Sequence, residues 1–211
     1  ILSQSSKWCA MCALSSLATS RYLTPVSRSH KVPREFTDHL KDLSSSLTPG
    51  VQEDAHEFLG ILLNGLQNCE LGINALDFTR MKESIRDKTL ISRMCEARKD
   101  AVRRTELLIA PKVLVVNLQR FSFDGNKLHN PIEPSTILKL NEESTGTEVT
   151  YELQAVVCHS GVSSTSGHYY TYAKGLDGKW YLLNDHDVSL IEESVVKEDT
   201  GSYLLFYTFD K

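Results

Sequence analysis

The chain has 211 residues, 41% of them hydrophobic, 24% charged and 8% aromatic, which is ordinary usage for a globular protein able to bury a sizeable core. Its 23 Lys and Arg against 27 Asp and Glu give a net charge of -4, without the basic surplus that grips nucleic acid. No apolar run approaches the roughly 18 residues that cross a bilayer, and Ile1-Leu2-Ser3-Gln4-Ser5-Ser6-Lys7 lacks the basic-then-apolar order of a signal peptide. Five cysteines, an odd number, and no Asn-x-Ser/Thr sequon argue against a secreted disulfide scaffold, so a reducing cytoplasmic or nuclear setting is expected. The first residue is Ile rather than Met, which places the expected natural start outside this sequence.

From Lys7 to about Leu66 the pattern is helical. It is clearest where Ala55, Phe58, Leu59, Leu62, Leu63 and Leu66 recur on one face at three- and four-residue intervals. Thr48-Pro49-Gly50 breaks the chain ahead of this helix, and Asp54 with Glu57 has the spacing of a capping box. Near the start, Cys9 and Cys12 form a Cys-x-x-Cys pair with the spacing of redox or zinc chemistry. No strand precedes the pair and no second pair completes four ligands, so both are expected to pack as small hydrophobes. Gln67 to Arg104 is charged and poor in large apolar residues, a weakly packed connector.

From Lys112 the pattern turns to strands. Val113 to Leu118 is a near-continuous apolar run, the mark of a central strand buried on both faces. Phe121–Phe123, Lys127-Leu128, Tyr151–Cys158, His168–Lys174, Lys179–Leu183 and Tyr203–Phe209 are further strand candidates. Helices first and antiparallel sheet second is an α+β layout. Cys69 and Cys95 are isolated, and Cys158 ends an apolar strand where an inert thiol is expected.

The most informative stretch runs from Gly167-His168-Tyr169-Tyr170 through Gly175-Leu176-Asp177-Gly178 to Asn184-Asp185. If those four middle residues form a hairpin loop, His168 lies opposite Asp185, and a shift by one puts Asn184 there instead, with Cβ atoms roughly 4.5–5.5 Å apart. An imidazole is oriented for base catalysis in this way: an amide or carboxylate oxygen accepts from one ring nitrogen and leaves the other to activate a nucleophile. An ordinary polar pair on a hairpin rim fits the same spacing. Tyr169, Tyr170 and Tyr172 alternate as sheet residues with hydroxyls at the rim, His56 lies on the polar side of its helix, and Ser160 to Gly167 reads as a mobile loop that orders over substrate.

Several segments, in order, resemble the catalytic domain of the ubiquitin-specific proteases. They are Val51-Gln52-Glu53-Asp54-Ala55-His56-Glu57-Phe58-Leu59, Pro111 to Phe121 ending in Leu118-Gln119-Arg120-Phe121, Tyr151 to Gly161 followed by Gly167-His168-Tyr169-Tyr170, Trp180 to Asp185 with Val188, and Tyr203 to Tyr207. Trp8 to Leu14 is similar to a segment that some members carry downstream of their catalytic cysteine. The resemblance covers essentially the whole chain. It implies a papain-like cysteine peptidase fold, with a helical thumb over residues 1–70, a connector or much reduced fingers over 71–110 and a sheet palm over 111–211. The implied reaction is hydrolysis of the (iso)peptide bond at the C-terminus of ubiquitin, with ubiquitin or ubiquitinated proteins as partners.

By the same resemblance His168 is the general base, Asn184 orients it and Asp185 is the adjacent polar partner. Gln52 and Asp54, near the cleft, and Gly167 and Tyr169, beside the histidine, are the substrate-binding candidates, and Arg120-Phe121 is structural. Two departures stand out. The family's Asn-x-Gly-Asn-Thr-Cys box, which carries the nucleophile, does not occur in this sequence, and Cys9 and Cys12 lack the glycine-rich loop that sets a cysteine at a helix start. Where many members hold zinc between two Cys-x-x-Cys pairs, Ser92 to Arg98 keeps only Cys95, so no structural metal and no cofactor is expected. The expectation is therefore a monomeric deubiquitinase domain with its nucleophile upstream, no nucleic-acid or membrane partner, and, as the alternative, an inactive ubiquitin-binding pseudo-protease. A different ubiquitin-like modifier remains an open substrate.

Overall fold

A computed structural model of the chain describes residues 8–23, 33–71, 107, 109–122, 127–163 and 166–209. The chain divides into two compact units, Ile1–Ala101 and Val102–Lys211. The expected connector around Gln67 to Arg104, with Cys95, lies mostly outside the described residues.

The first unit is helical: α1 Ala10–Leu23, α2 Arg34–Thr37, α3 Leu40–Leu43 and α4 Ala55–Leu71. Trp8 ties its beginning together, donating from Nε1 to the Glu35 carbonyl at 3.0 Å, meeting Phe36 edge-on and stacking on His39. The expected start of α4 is present: Asp54 Oδ1 accepts from His56 N at 2.7 Å and Glu57 N at 3.2 Å, quenching N–H groups that a helix start leaves unpaired. Phe58, Leu59, Leu62 and Leu66 are half-buried as their spacing requires, whereas Leu63 is 53% exposed, on the far edge of the stripe. The cysteine expectation fails here. Cys9 is not inside the helix but immediately before it, accepting from Ala13 N through its carbonyl, and Cys12 is exposed rather than packed.

The second unit is a seven-stranded antiparallel sheet: β1 Val113–Asn117, β2 Ile137–Glu142, β3 Thr147–Ser163, β4 Ser166–Lys174, β5 Trp180–Asn184, β6 Asp187–Ile191 and β7 Ser202–Thr208, with helix α5 Glu193–Glu198 before the last strand. The order is β1-β7-β3-β4-β5-β6, and β2 pairs with the first part of β3. β1 is not central as its apolar run suggests: it ends the order and Val113 is 55% exposed. The strand covered on both faces is β7, where Ser202, Tyr203, Leu204 and Leu205 are consecutively buried. Tyr151, Leu153, Val156, Cys158, Tyr172, Trp180, Val196, Leu205 and Tyr207 form the core. Phe121 and Lys127 contribute only an isolated bridge rather than two strands, while β2, β6 and α5 were not signalled by the pattern.

The hairpin carrying His168 exists with a different register. Lys174 pairs with Trp180 and Thr171 with Leu183, so the loop spans five residues, 175–179, and the ladder stops before either expected pairing. Asp177 makes the loop, accepting from Lys179 N at 3.1 Å and Tyr181 Oη at 2.9 Å, and Gly178 adopts φ +76°, open to glycine at little cost. The stretch expected as a mobile loop is strand instead over 160–163 and 166–167, paired Ser160 to His168 and Ser163 to Ser166 with a register shift between; 164 and 165 lie outside the described residues.

Candidate active site

In the β4–β5 register, continuing the pairing one step beyond Thr171–Leu183 sets Asn184 beside Tyr170. His168 is then the diagonal neighbour on the same sheet face, within reach of a long side chain. The side chains close that diagonal: His168 Nε2 lies 2.5 Å from Asn184 Oδ1 and 3.8 Å from Asp185 Oδ2. An amide oxygen only accepts, so Nε2 carries the proton and donates, and Nδ1 is left as the basic nitrogen with no partner among the described residues. Asp185 follows directly because Asn184 ends β5 and Asp185 turns into β6 with φ +49°, a left-handed conformation that Asp tolerates better than most residues. The constellation is open to solvent, with the His168 side chain 47% exposed and that of Asp185 72%.

Behind His168 the sheet is rigidly tied. His159, 1% exposed, packs its ring edge-on against Phe121 and tilted against Tyr169, which in turn faces Tyr203. A Cβ on Gly167 would collide with His159 Nε2 and lie 2.5 Å from the Ser160 carbonyl oxygen, so only glycine fits before His168. Arg120, 2% exposed, donates through Nε to Ser202 O at 2.9 Å, Nη1 to Asn130 O at 2.5 Å and Nη2 to Thr200 O at 3.1 Å, the structural role expected of it. Lys127 donates to the His159 carbonyl, and burial lowers its ammonium from the ordinary lysine value.

Asp199 is a residue that sequence reasoning missed. Its carboxylate accepts from Tyr170 Oη at 2.8 Å, Tyr172 Oη at 2.6 Å and Gly201 N at 2.6 Å, joining β4 to the start of β7. The two tyrosine hydroxyls are thus inside a polar cluster, not at the rim as alternation suggested. Burial first, and then the bonds to Asp199, push both phenols well above the ordinary value. No periodic signal marks Asp199, which lies between α5 and β7.

Gln52 is exposed and Asp54 caps α4 in the helical unit, while Gly167 and Tyr169 flank His168 in the sheet unit. Among the described residues no group of three or more His, Cys, Asp or Glu side chains is placed to hold a metal ion.

The family model described as "Ubiquitin carboxyl-terminal hydrolase" matches residues 3–207. The chain belongs to this family. Mouse "Ubiquitin carboxyl-terminal hydrolase 17-like protein A" is 34% identical over 166 residues, covering 76% of this chain and 31% of the relative. Arabidopsis thaliana "Ubiquitin carboxyl-terminal hydrolase 25" is 30% identical over 190 residues, 87% of this chain and 29% of the relative. The chain therefore spans less than a third of either relative's length. Among solved structures, a SAGA DUB module of Ubp8, Sgf11, Sus1 and Sgf73 bound to monoubiquitin superposes with a TM-score of 0.73 at 22% identity, over 97% of this chain and 59% of that one. The shared fold is helices followed by an antiparallel sheet. No helix among the described residues is long and apolar enough to cross a membrane.

Proposed function

We propose that the chain is the larger part of a thiol-dependent deubiquitinase domain that hydrolyses the (iso)peptide bond at the C-terminus of ubiquitin, with the nucleophilic cysteine supplied from outside these 211 residues. The observation that carries this reading is the His168 Nε2 to Asn184 Oδ1 bond of 2.5 Å, which orients the ring and keeps Nδ1 basic. In that reaction Nδ1 takes the thiol proton, the thiolate attacks the carbonyl carbon at the ubiquitin terminus, and the imidazolium returns the proton to the departing amine. Water then cleaves the thioester with the same nitrogen as base. Asp185 adds a carboxylate oxygen 3.8 Å from Nε2, a negative charge beside the imidazolium that the neutral Asn184 amide does not supply. Cys158 is no substitute nucleophile, because burial pushes its thiol up to about 12.

On this reading residues 1–70 form a papain-like thumb, 71–110 reduced fingers and 111–211 the palm. Gly167 and Tyr169, which flank His168, contact the ubiquitin tail, Gln52 and Asp54 are substrate-binding residues of the helical unit, and the domain acts as a monomer on ubiquitin or ubiquitinated proteins. The test is reaction of the natural full-length protein, its His168→Ala variant and the 211-residue chain with ubiquitin bearing a thiol-reactive C-terminal warhead. Labelling of the full-length form alone, weakened by the substitution, is expected. Ubiquitin binding without labelling of any form would make the protein a pseudo-protease.

A further inference from the structure

Among the described residues of the helical unit, Cys9, Cys12 and Cys69 are not independent thiols. Cys9 stands where a capping hydroxyl or carboxylate usually stands, and its Sγ accepts from Cys12 N at 3.5 Å while its carbonyl accepts from Ala13 N at 3.0 Å. A sulfur held by a backbone N–H at the positive end of a 14-residue helix favours its anionic form. That bond from Cys12 N is the largest influence holding the Cys9 thiol below its ordinary value; the Cys12 thiol and the Cys69 thiol from α4, both within hydrogen-bonding reach, add to it. Cys12, exposed on the same turn, is pushed the other way by Cys9 and keeps its proton. One sulfur is prepared to attack and its neighbour to resolve.

We propose that Cys9 and Cys12 are a site of reversible oxidation, a dithiol that a hydroperoxide closes into a disulfide within the first turn of α1. The Cys9 thiolate attacks one peroxide oxygen, the O–O bond breaks, and the departing oxide leaves as water after taking a proton. Cys9 then carries a sulfenic acid, oxidised by two electrons as the peroxide is reduced. The Cys12 sulfur next attacks the Cys9 sulfur, forming the S–S bond and expelling hydroxide, which takes the Cys12 proton and leaves as water. A dithiol reductant reverses the change. This chemistry is independent of His168, Asn184 and Asp185, so its test does not depend on ubiquitin cleavage.

Trypsin releases Cys9 and Cys12 in one peptide, Trp8 to Arg21, and Cys69 in another. The reduced 211-residue chain is treated with one equivalent of hydrogen peroxide, blocked with iodoacetamide and digested. The expected product is the Trp8–Arg21 peptide, unalkylated and lighter by two hydrogen atoms, restored by dithiothreitol and formed several-fold faster than in the urea-unfolded chain. Cys12→Ser is expected to stop at a sulfenic acid on Cys9 that dimedone traps, and Cys9→Ser to give neither product. Equal rates in folded and unfolded chain, a cross-link to the Cys69 peptide in place of the internal disulfide, or a metal ion in the native mass that shields both thiols would each overturn the assignment.

Discussion

Among the described residues His168 is held through one nitrogen only, and the two side chains that face that nitrogen do so unequally. Asn184 is at hydrogen-bond distance, whereas Asp185 is 3.8 Å away and mostly in water, where an ion pair is worth about 0–1 kcal/mol. Asn184→Ala in the full-length protein is therefore expected to lower kcat/KM on a ubiquitin-tail substrate by about 10²–10⁴-fold, the range of a general base that loses its set geometry. Asp185→Ala is expected to cost less than about tenfold. Steady-state kinetics of the two variants decides the matter, and the reverse order would move the orienting role to Asp185. The pairing of these residues was legible in the sequence because a hairpin forces nearby positions together. The register was not: a five-residue loop closed by the Asp177 side chain replaces the four-residue loop that the Gly175 and Gly178 positions suggest.

At the scale of elements, legibility followed how local the cause is. The start of α4 could be read because a cap and its targets lie within three residues. Asp54→Ala is expected to destabilise the chain by about 1 kcal/mol, read as a lower urea midpoint, and Asp54→Asn to be nearly neutral. A loss equally large for Asn would mean that charge, and not the accepted bonds, does the capping. The place of β1 was illegible, since an apolar run tells that a strand is covered but not whether its neighbours lie on one side or two; β7 took the central place instead. The β3–β4 hairpin depends on a contact outside local sequence, the His159 ring against Gly167. Gly167→Ala is expected to lower both the urea midpoint and kcat/KM, and His159→Ala should not rescue it, because the Ser160 carbonyl oxygen still lies 2.5 Å from the added carbon. Full rescue would show that the histidine ring alone forbids a side chain there.

Across the molecule, the helices-then-sheet order was visible in the change of hydrophobic period, while the polar cluster inside the sheet was not, because Tyr170, Tyr172, Cys158 and Asp199 converge only after β3, β4 and the turn into β7 are paired. That cluster makes stability depend on pH in a defined direction. Burial raises the Cys158 thiol from 9.0 to about 12, and burial with the bonds to Asp199 raises both phenols above 10.0. In each case the folded state holds a proton that the unfolded chain releases first. The stabilising difference is complete below about pH 9 and is lost as pH climbs toward the folded values. Each group steepens the fall by at most about 1.4 kcal/mol per pH unit. Urea unfolding of the 211-residue chain at about pH 7.5 and at steps to about pH 11 is expected to show a midpoint that drops above about pH 9, and Cys158→Ala should flatten the slope by about one proton. A midpoint unchanged across that range would mean that these groups ionise in the folded sheet as readily as in the unfolded chain, and the cluster would then contribute no proton-linked stability.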